Sequence, residues 1–177
     1  MPDGDLVFLA EVHLKYIKNI STDTTSFEYA VSQHLRMSGV YWGMTAMALL
    51  GSDLAADMQS EEIVDWVQRC QHDSGGYGGN VDHDPHMLYT LSALQILAVC
   101  DRMDLVNKEL VLQFVASLQN DDGSFNGDVW GEVDTRFSYC ALSILAILDS
   151  LNTGVINLPK AIDFVARCKN FDGNMHL

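Results

Sequence analysis

The chain has 177 residues, 48% of them hydrophobic, 19% charged and only three of them proline. That is enough for one domain burying roughly 70% of its unfolded surface, and too apolar for a disordered chain. Ten basic residues against 24 acidic ones leave a formal charge of −14, which repels phosphate backbones and argues against a nucleic-acid binder; an acidic surface speeds encounter with basic partners, although many acidic soluble proteins have none.

In chain order, Met1-Pro2-Asp3-Gly4-Asp5 lacks the basic-then-apolar layout of a signal peptide. No apolar run approaches the roughly 18 residues of a membrane span; Tyr41–Leu50 and Ala141–Leu148 are too short. The expected location is therefore cytoplasmic. Tyr41–Leu50, ending at Gly51, reads as a buried helix. Ser60 and Asn107 are suited to helix N-caps, Glu61, Glu62 and Glu109 to first turns, and Pro159 to a first turn. The segments Ile63–Cys70, Val111–Leu118 and Ala161–Cys168 align without gaps at offsets of 48 and 50. Their shared apolar positions recur at i, i+3, i+4 and i+7, one stripe on an amphipathic helix.

A glycine-containing turn follows each of these helices, at Gly75, Gly123 and Gly173 in the same register. Glycine just past a helix takes the left-handed conformation that a cap needs, and neighbouring Asp and Asn suit the turn. Tyr77 and Phe125 are expected to fold back on the helix ends. Second helices then follow over Pro85–Cys100 and Thr135–Leu148, apolar almost all round and hence buried, with Tyr41, Tyr89 and Tyr139 placed in register. Paired helices recurring every 48–50 residues predict an all-α protein, an α/α toroid or solenoid. The units run over approximately 14–51, 60–100, 107–149 and an incomplete 157–177, about three and a half repeats in one domain. Cys70, Cys100, Cys140 and Cys168 lie far apart without CxxC spacing and read as reduced core thiols.

His83, Asp84 and His86 are residue types that ligate zinc, but their spacing fits a helix start better, with Asp84 as cap and Pro85 as first residue. His72 beside Cys70 reads as turn chemistry. There is no GxSxG and no GxxxxGK[ST], and no catalytic or metal-binding residue is assigned.

The QxxDGxF-type turns between paired helices resemble those of the protein prenyltransferase β-subunit and terpene-cyclase superfamily, whose fold is an α/α barrel. The stretches Glu28-Tyr29, His34–Gly43, His83–Ala93 and Gly127–Cys140 look specifically like the type II protein prenyltransferases, the Rab geranylgeranyltransferase β subunits, from about Leu14 to Gly173. The resemblance implies transfer of a geranylgeranyl group from geranylgeranyl diphosphate to cysteines near the C-terminus of Rab GTPases. The implied partners are a prenyltransferase α subunit and a Rab bound to its escort protein. In that family a zinc ion sits on an Asp, a Cys and a His from later repeats, and the His, Arg, Lys and Tyr that bind diphosphate also come from later repeats. None of those motifs occurs before Leu177. The resemblance thus implies the N-terminal half of a larger ring, inactive by itself.

By the same resemblance Ser38 and Leu91 line the floor of an isoprenoid tunnel, where small side chains admit the longer lipid by volume exclusion. A Ser or Leu on a buried helix is also ordinary packing. Trp42 and Tyr139 are inner-helix aromatics that could wall the tunnel or serve as core. Arg136, three residues before Tyr139 on one helical face, could meet a diphosphate or the substrate's C-terminal peptide, since guanidinium binds both bidentately; an ion pair with Asp134 or Glu132 is the structural alternative. Two rival functions stand beside the transferase. One is a non-catalytic helical-repeat module that pairs with the α subunit. The other is a terpene-cyclase relative, disfavoured because Asp121-Asp122 does not match the Asp-rich acid motif.

Overall fold

The computed structural model describes residues 8–174, and among them nine α-helices and no extended strand. They are α1 (Ala10–Thr22), α2 (Phe27–Val31), α3 (Arg36–Leu49), α4 (Leu54–Met58), α5 (Ser60–Arg69), α6 (Met87–Val99), α7 (Lys108–Ser117), α8 (Thr135–Ile147) and α9 (Leu158–Arg167). Caps set several starts. Asn107 and Asn157 accept hydrogen bonds from the N–H groups of Leu110 and Lys160, and Asp134 accepts from Arg136 N–H, satisfying donors that the first turn leaves free. Ser60 is not a cap: it is the first residue of α5, preceded by Gln59 in a left-handed conformation.

Helices α5, α7 and α9 form an outer layer. Their buried stripes are Val64, Val67 and Cys70; Val111, Phe114, Val115 and Leu118; and Ala161, Phe164 and Cys168. Each then turns on a glycine at positive φ: +94° at Gly75, +92° at Gly123 and +86° at Gly173. A Cβ on Gly75 would strike the Leu110 carbonyl of α7, and one on Gly123 the Lys160 carbonyl of α9. The turn ending one outer helix thus abuts the start of the next. Tyr77 and Phe125 fold back as expected and are fully buried, with Tyr77 N–H donating to Thr90 Oγ1 at 3.0 Å. The four cysteines are free thiols; burial pushes Cys70 up to about 12 and Cys140 to about 11, far from thiolate character at neutral pH.

Helices α3, α6 and α8 form the inner layer, with α6 packed between the other two. It is buried at eight of thirteen positions, which is why its sequence is apolar on every side. Their register differs from the sequence expectation. Met37 N–H donates to Gly79 O at 2.9 Å and Met87 N–H to Gly127 O at 2.7 Å, so Met37 and Met87 are equivalent. The bridge pairs Gln71–Tyr77 and Gly78–Pro85 recur at Gln119–Phe125 and Asn126–Val133, each 48 residues on. Asp101 and Asp149, also 48 apart, end their helices at positive φ. The equivalent positions are therefore Tyr41, Leu91 and Tyr139, not Tyr41, Tyr89 and Tyr139. The two extra residues of the next interval lie after α8. Pro85 likewise does not start α6; it pairs with Gly78 in the preceding loop, and His86 caps the helix through Nδ1, which accepts Leu88 N–H at 3.1 Å.

Candidate functional site on the inner helices

One of the candidate positions, Ser38, lies where α3 meets α6. Ser38 Oγ lies 3.3 Å from Ser92 Oγ, and Gln95 Nε2 donates to Tyr41 Oη at 3.1 Å. Leu91, next to Ser92, is only 5% exposed. This junction is a seam of small and polar side chains within an otherwise apolar layer. Ser92 and Gln95 were not singled out from sequence, and Tyr41 only as a register position; the signal was there in two polar residues, Ser92 and Gln95, interrupting a run of apolar ones.

Trp42 and Tyr139 are not core residues. They are 69% and 64% exposed, on α3 and α8 at opposite flanks of α6, and the structure does not bring them together. Burial explains the contrast among the three equivalent positions: Tyr41 is covered by α6, Leu91 lies buried on the helix between α3 and α8, and Tyr139 stands clear of its neighbours. Arg136 is also exposed and shares a face of α8 with Tyr139. Its guanidinium donates to Asp134 Oδ2 at 3.0 Å. That pair, with the cap to Arg136 N–H, holds the Asp134 carboxyl below its ordinary value and keeps Arg136 protonated. The structural ion pair is therefore present, and it fixes the cation at the N-terminal end of an inner helix.

His86 occupies the junction of α6 with α8. Its ring packs edge-on to Phe137 with centroids 5.3 Å apart, and Gly127 approaches so closely that a Cβ there would lie 2.6 Å from Nε2. Burial lowers its pKa; Asp128 and Glu132 oppose that, and Arg136 adds to it. The neutral ring accepts at Nδ1, which assigns the hydrogen to Nε2. This is a structural histidine by its contacts. Among the described residues no group of three His, Cys, Asp or Glu side chains converges as a metal site would require, and no helix is long and apolar enough to cross a membrane.

The family model for the prenyltransferase alpha-alpha toroid domain matches residues 8–176. The chain is 43% identical to the geranylgeranyl transferase type-2 subunit beta of Saccharomyces cerevisiae over 178 aligned residues, covering 98% of this chain and 54% of that protein. It is 50% identical to the type-2 subunit beta 1 of Arabidopsis thaliana over 90 residues, 51% of this chain and 27% of that one. In fold it resembles Candida albicans protein geranylgeranyltransferase-I complexed with GGPP. The TM-score is 0.72 at 15% identity, over 93% of this chain and 52% of that one. The chain spans about half the length of the yeast relative.

Proposed function

Because this chain belongs to the prenyltransferase α/α toroid family, we propose that it serves as a β-subunit polypeptide of a Rab geranylgeranyltransferase. The observation that carries this reading is the 43% identity to a type-2 β subunit through 98% of the chain. In this reading the inner helices supply one wall of an apolar tunnel for the 20-carbon chain of geranylgeranyl diphosphate. Ser38 and Leu91 leave room for the distal isoprene units, and Trp42 and Tyr139 present aromatic faces to the polyene. Arg136, held by Asp134 at the helix start, meets the diphosphate or the C-terminal peptide of the acceptor. The acceptor is a Rab GTPase carried by its escort protein, the partner is an α subunit, and the compartment is the cytoplasm.

A zinc ion, implied by the family resemblance, would supply a Lewis acid to hold the acceptor thiol. The described residues do not make a site for it, and no step of this reading runs through it. What these residues do is bind and measure the lipid. The test is to express the chain with a type-2 α subunit and assay geranylgeranyl transfer to an escorted Rab, alongside bound zinc. Transfer supports the subunit reading and would also mean that the chain needs no further residues for chemistry. Retained α-subunit binding and lipid binding without transfer supports a wall-forming role; binding of the α subunit alone, with no lipid, overturns it in favour of a non-catalytic module.

A further inference from the structure

Loops 79–85 and 127–133 are repeats of one another, 48 residues apart, at the N-terminal ends of α6 and α8. In the first, Trp66 Nε1 donates to Asn80 Oδ1 at 3.0 Å, Asn80 Oδ1 also accepts Val81 N–H, and Val81 packs on the core. In the second, Phe114 replaces Trp66 and offers no donor. Asp128, in the place of Asn80, instead accepts Trp130 N–H at 2.8 Å. Val129, unlike its half-buried counterpart Val81, is 79% exposed, and Trp130, in the place of the exposed Asp82, is 80% exposed.

This loop is nonetheless held in place. Gly127 N–H donates to Glu132 O at 2.9 Å, Gly131 N–H to Asp128 O at 3.4 Å, and Gly127 O receives Met87 N–H at 2.7 Å. A large aromatic displayed on a braced loop costs little ordering on association, and Trp is among the residues that dominate interface energies when seated in a partner's pocket. The shape is a knob, which suits a folded partner with a concavity better than a flexible segment that needs a groove on this chain. Charge narrows the partner further. Asp128 and Glu132 flank the knob, the stretch from Gly127 to Thr135 contains no lysine or arginine, and the nearest cation, Arg136, is already paired to Asp134.

We propose that Val129 and Trp130 are the knob by which this chain docks its partner subunit, entering an apolar pocket rimmed by lysine or arginine. The proposal rests on the reading of the chain as a β subunit. It is tested by titrating the purified chain with the type-2 α subunit, together with hydroxyl-radical footprinting of the free and bound chain. The expected results are that Trp130 is oxidised in the free chain and protected in the complex, and that Trp130→Ala weakens binding at least tenfold with an unchanged circular dichroism spectrum. Glu132→Lys slows association, while Ile162→Ala, an exposed apolar change on α9, alters neither. Protection of Trp130 in the free chain means that the protein's own residues cover it and overturns the proposal. So does full α-subunit affinity in Trp130→Ala, including the case where only KM for the escorted Rab rises, which assigns the loop to the acceptor. Failure of the wild-type chain to bind the α subunit is a different result: it removes the β-subunit reading itself and this proposal with it.

Discussion

At the scale of single residues, three glycines separate two effects that are often merged. Gly131 adopts a φ of +88° with open space around it, whereas Gly123 combines a φ of +92° with the Lys160 carbonyl at the place a Cβ would fill. Gly131→Ala should therefore cost about 1–2 kcal/mol, the left-handed penalty alone, while Gly123→Ala adds an overpacking cost of about 1–3 kcal/mol. Gly127 has no positive φ and meets only the His86 and Phe137 rings, so Gly127→Ala carries the overpacking cost alone and should fall short of Gly123→Ala. Urea unfolding of the three variants ranks them, and equal losses would refute the assignment of the turn to α9 packing. His86 supplies the pH dependence. Burial lowers its pKa below the ordinary value of 6.5, so below about pH 6.5 the unfolded chain takes up a proton that the folded chain resists. Its stabilising contribution is present above that pH and is lost as pH falls toward the folded value. His86→Asn keeps a side-chain cap but cannot titrate, so the drop in unfolding free energy between pH 7.5 and 5.5 should be smaller in the variant than in the wild type. Identical drops would show that the ring is not held neutral.

At the scale of elements, the outer helices were legible in the sequence and the register of the inner ones was not. Amphipathic α5, α7 and α9 print their buried stripe at helical spacing, and the glycine turns mark where each ends. An inner helix apolar on nearly all sides has no such stripe, so matching Tyr89 to Tyr139 had only residue identity to rest on. The backbone sets the register instead, through the Met37–Gly79 and Met87–Gly127 hydrogen bonds and the His86 and Asp134 caps. The rule that proline favours a first helical turn placed the α6 start two residues early, because the loop pairing of Pro85 with Gly78 overrides it. Trp42 and Tyr139 defeated composition too: a large aromatic on a buried helix is ordinarily core, and exposure depends on what lies beside the helix. The caps are testable. Asn107→Ala and Asp134→Ala should each lose about 1 kcal/mol, while Asp134→Asn, which keeps the cap and removes an exposed ion pair, should stay within a few tenths. A loss in Asp134→Asn equal to that in Asp134→Ala would mean that the pair to Arg136, rather than the cap, holds the helix start.

At the scale of the whole molecule, the fold and the proposed function meet in the volume beside α3, α6 and α8. Ser38 touches Ser92 at the α3–α6 junction, and the proposed lipid wall is tested by enlarging the side chain at this position. In the reconstituted α-subunit complex, Ser38→Trp is expected to lower kcat/KM for the 20-carbon donor at least tenfold while sparing a 15-carbon donor, by volume exclusion in an apolar cavity. The most direct measurement is photoaffinity labelling of that complex with a photoreactive geranylgeranyl diphosphate analogue, followed by mapping of the labelled peptides. Saturable label on α3, α6 and α8, displaced by unlabelled geranylgeranyl diphosphate, is the result the lipid-wall reading predicts; label confined to α5, α7 and α9, or none that competes, would contradict it.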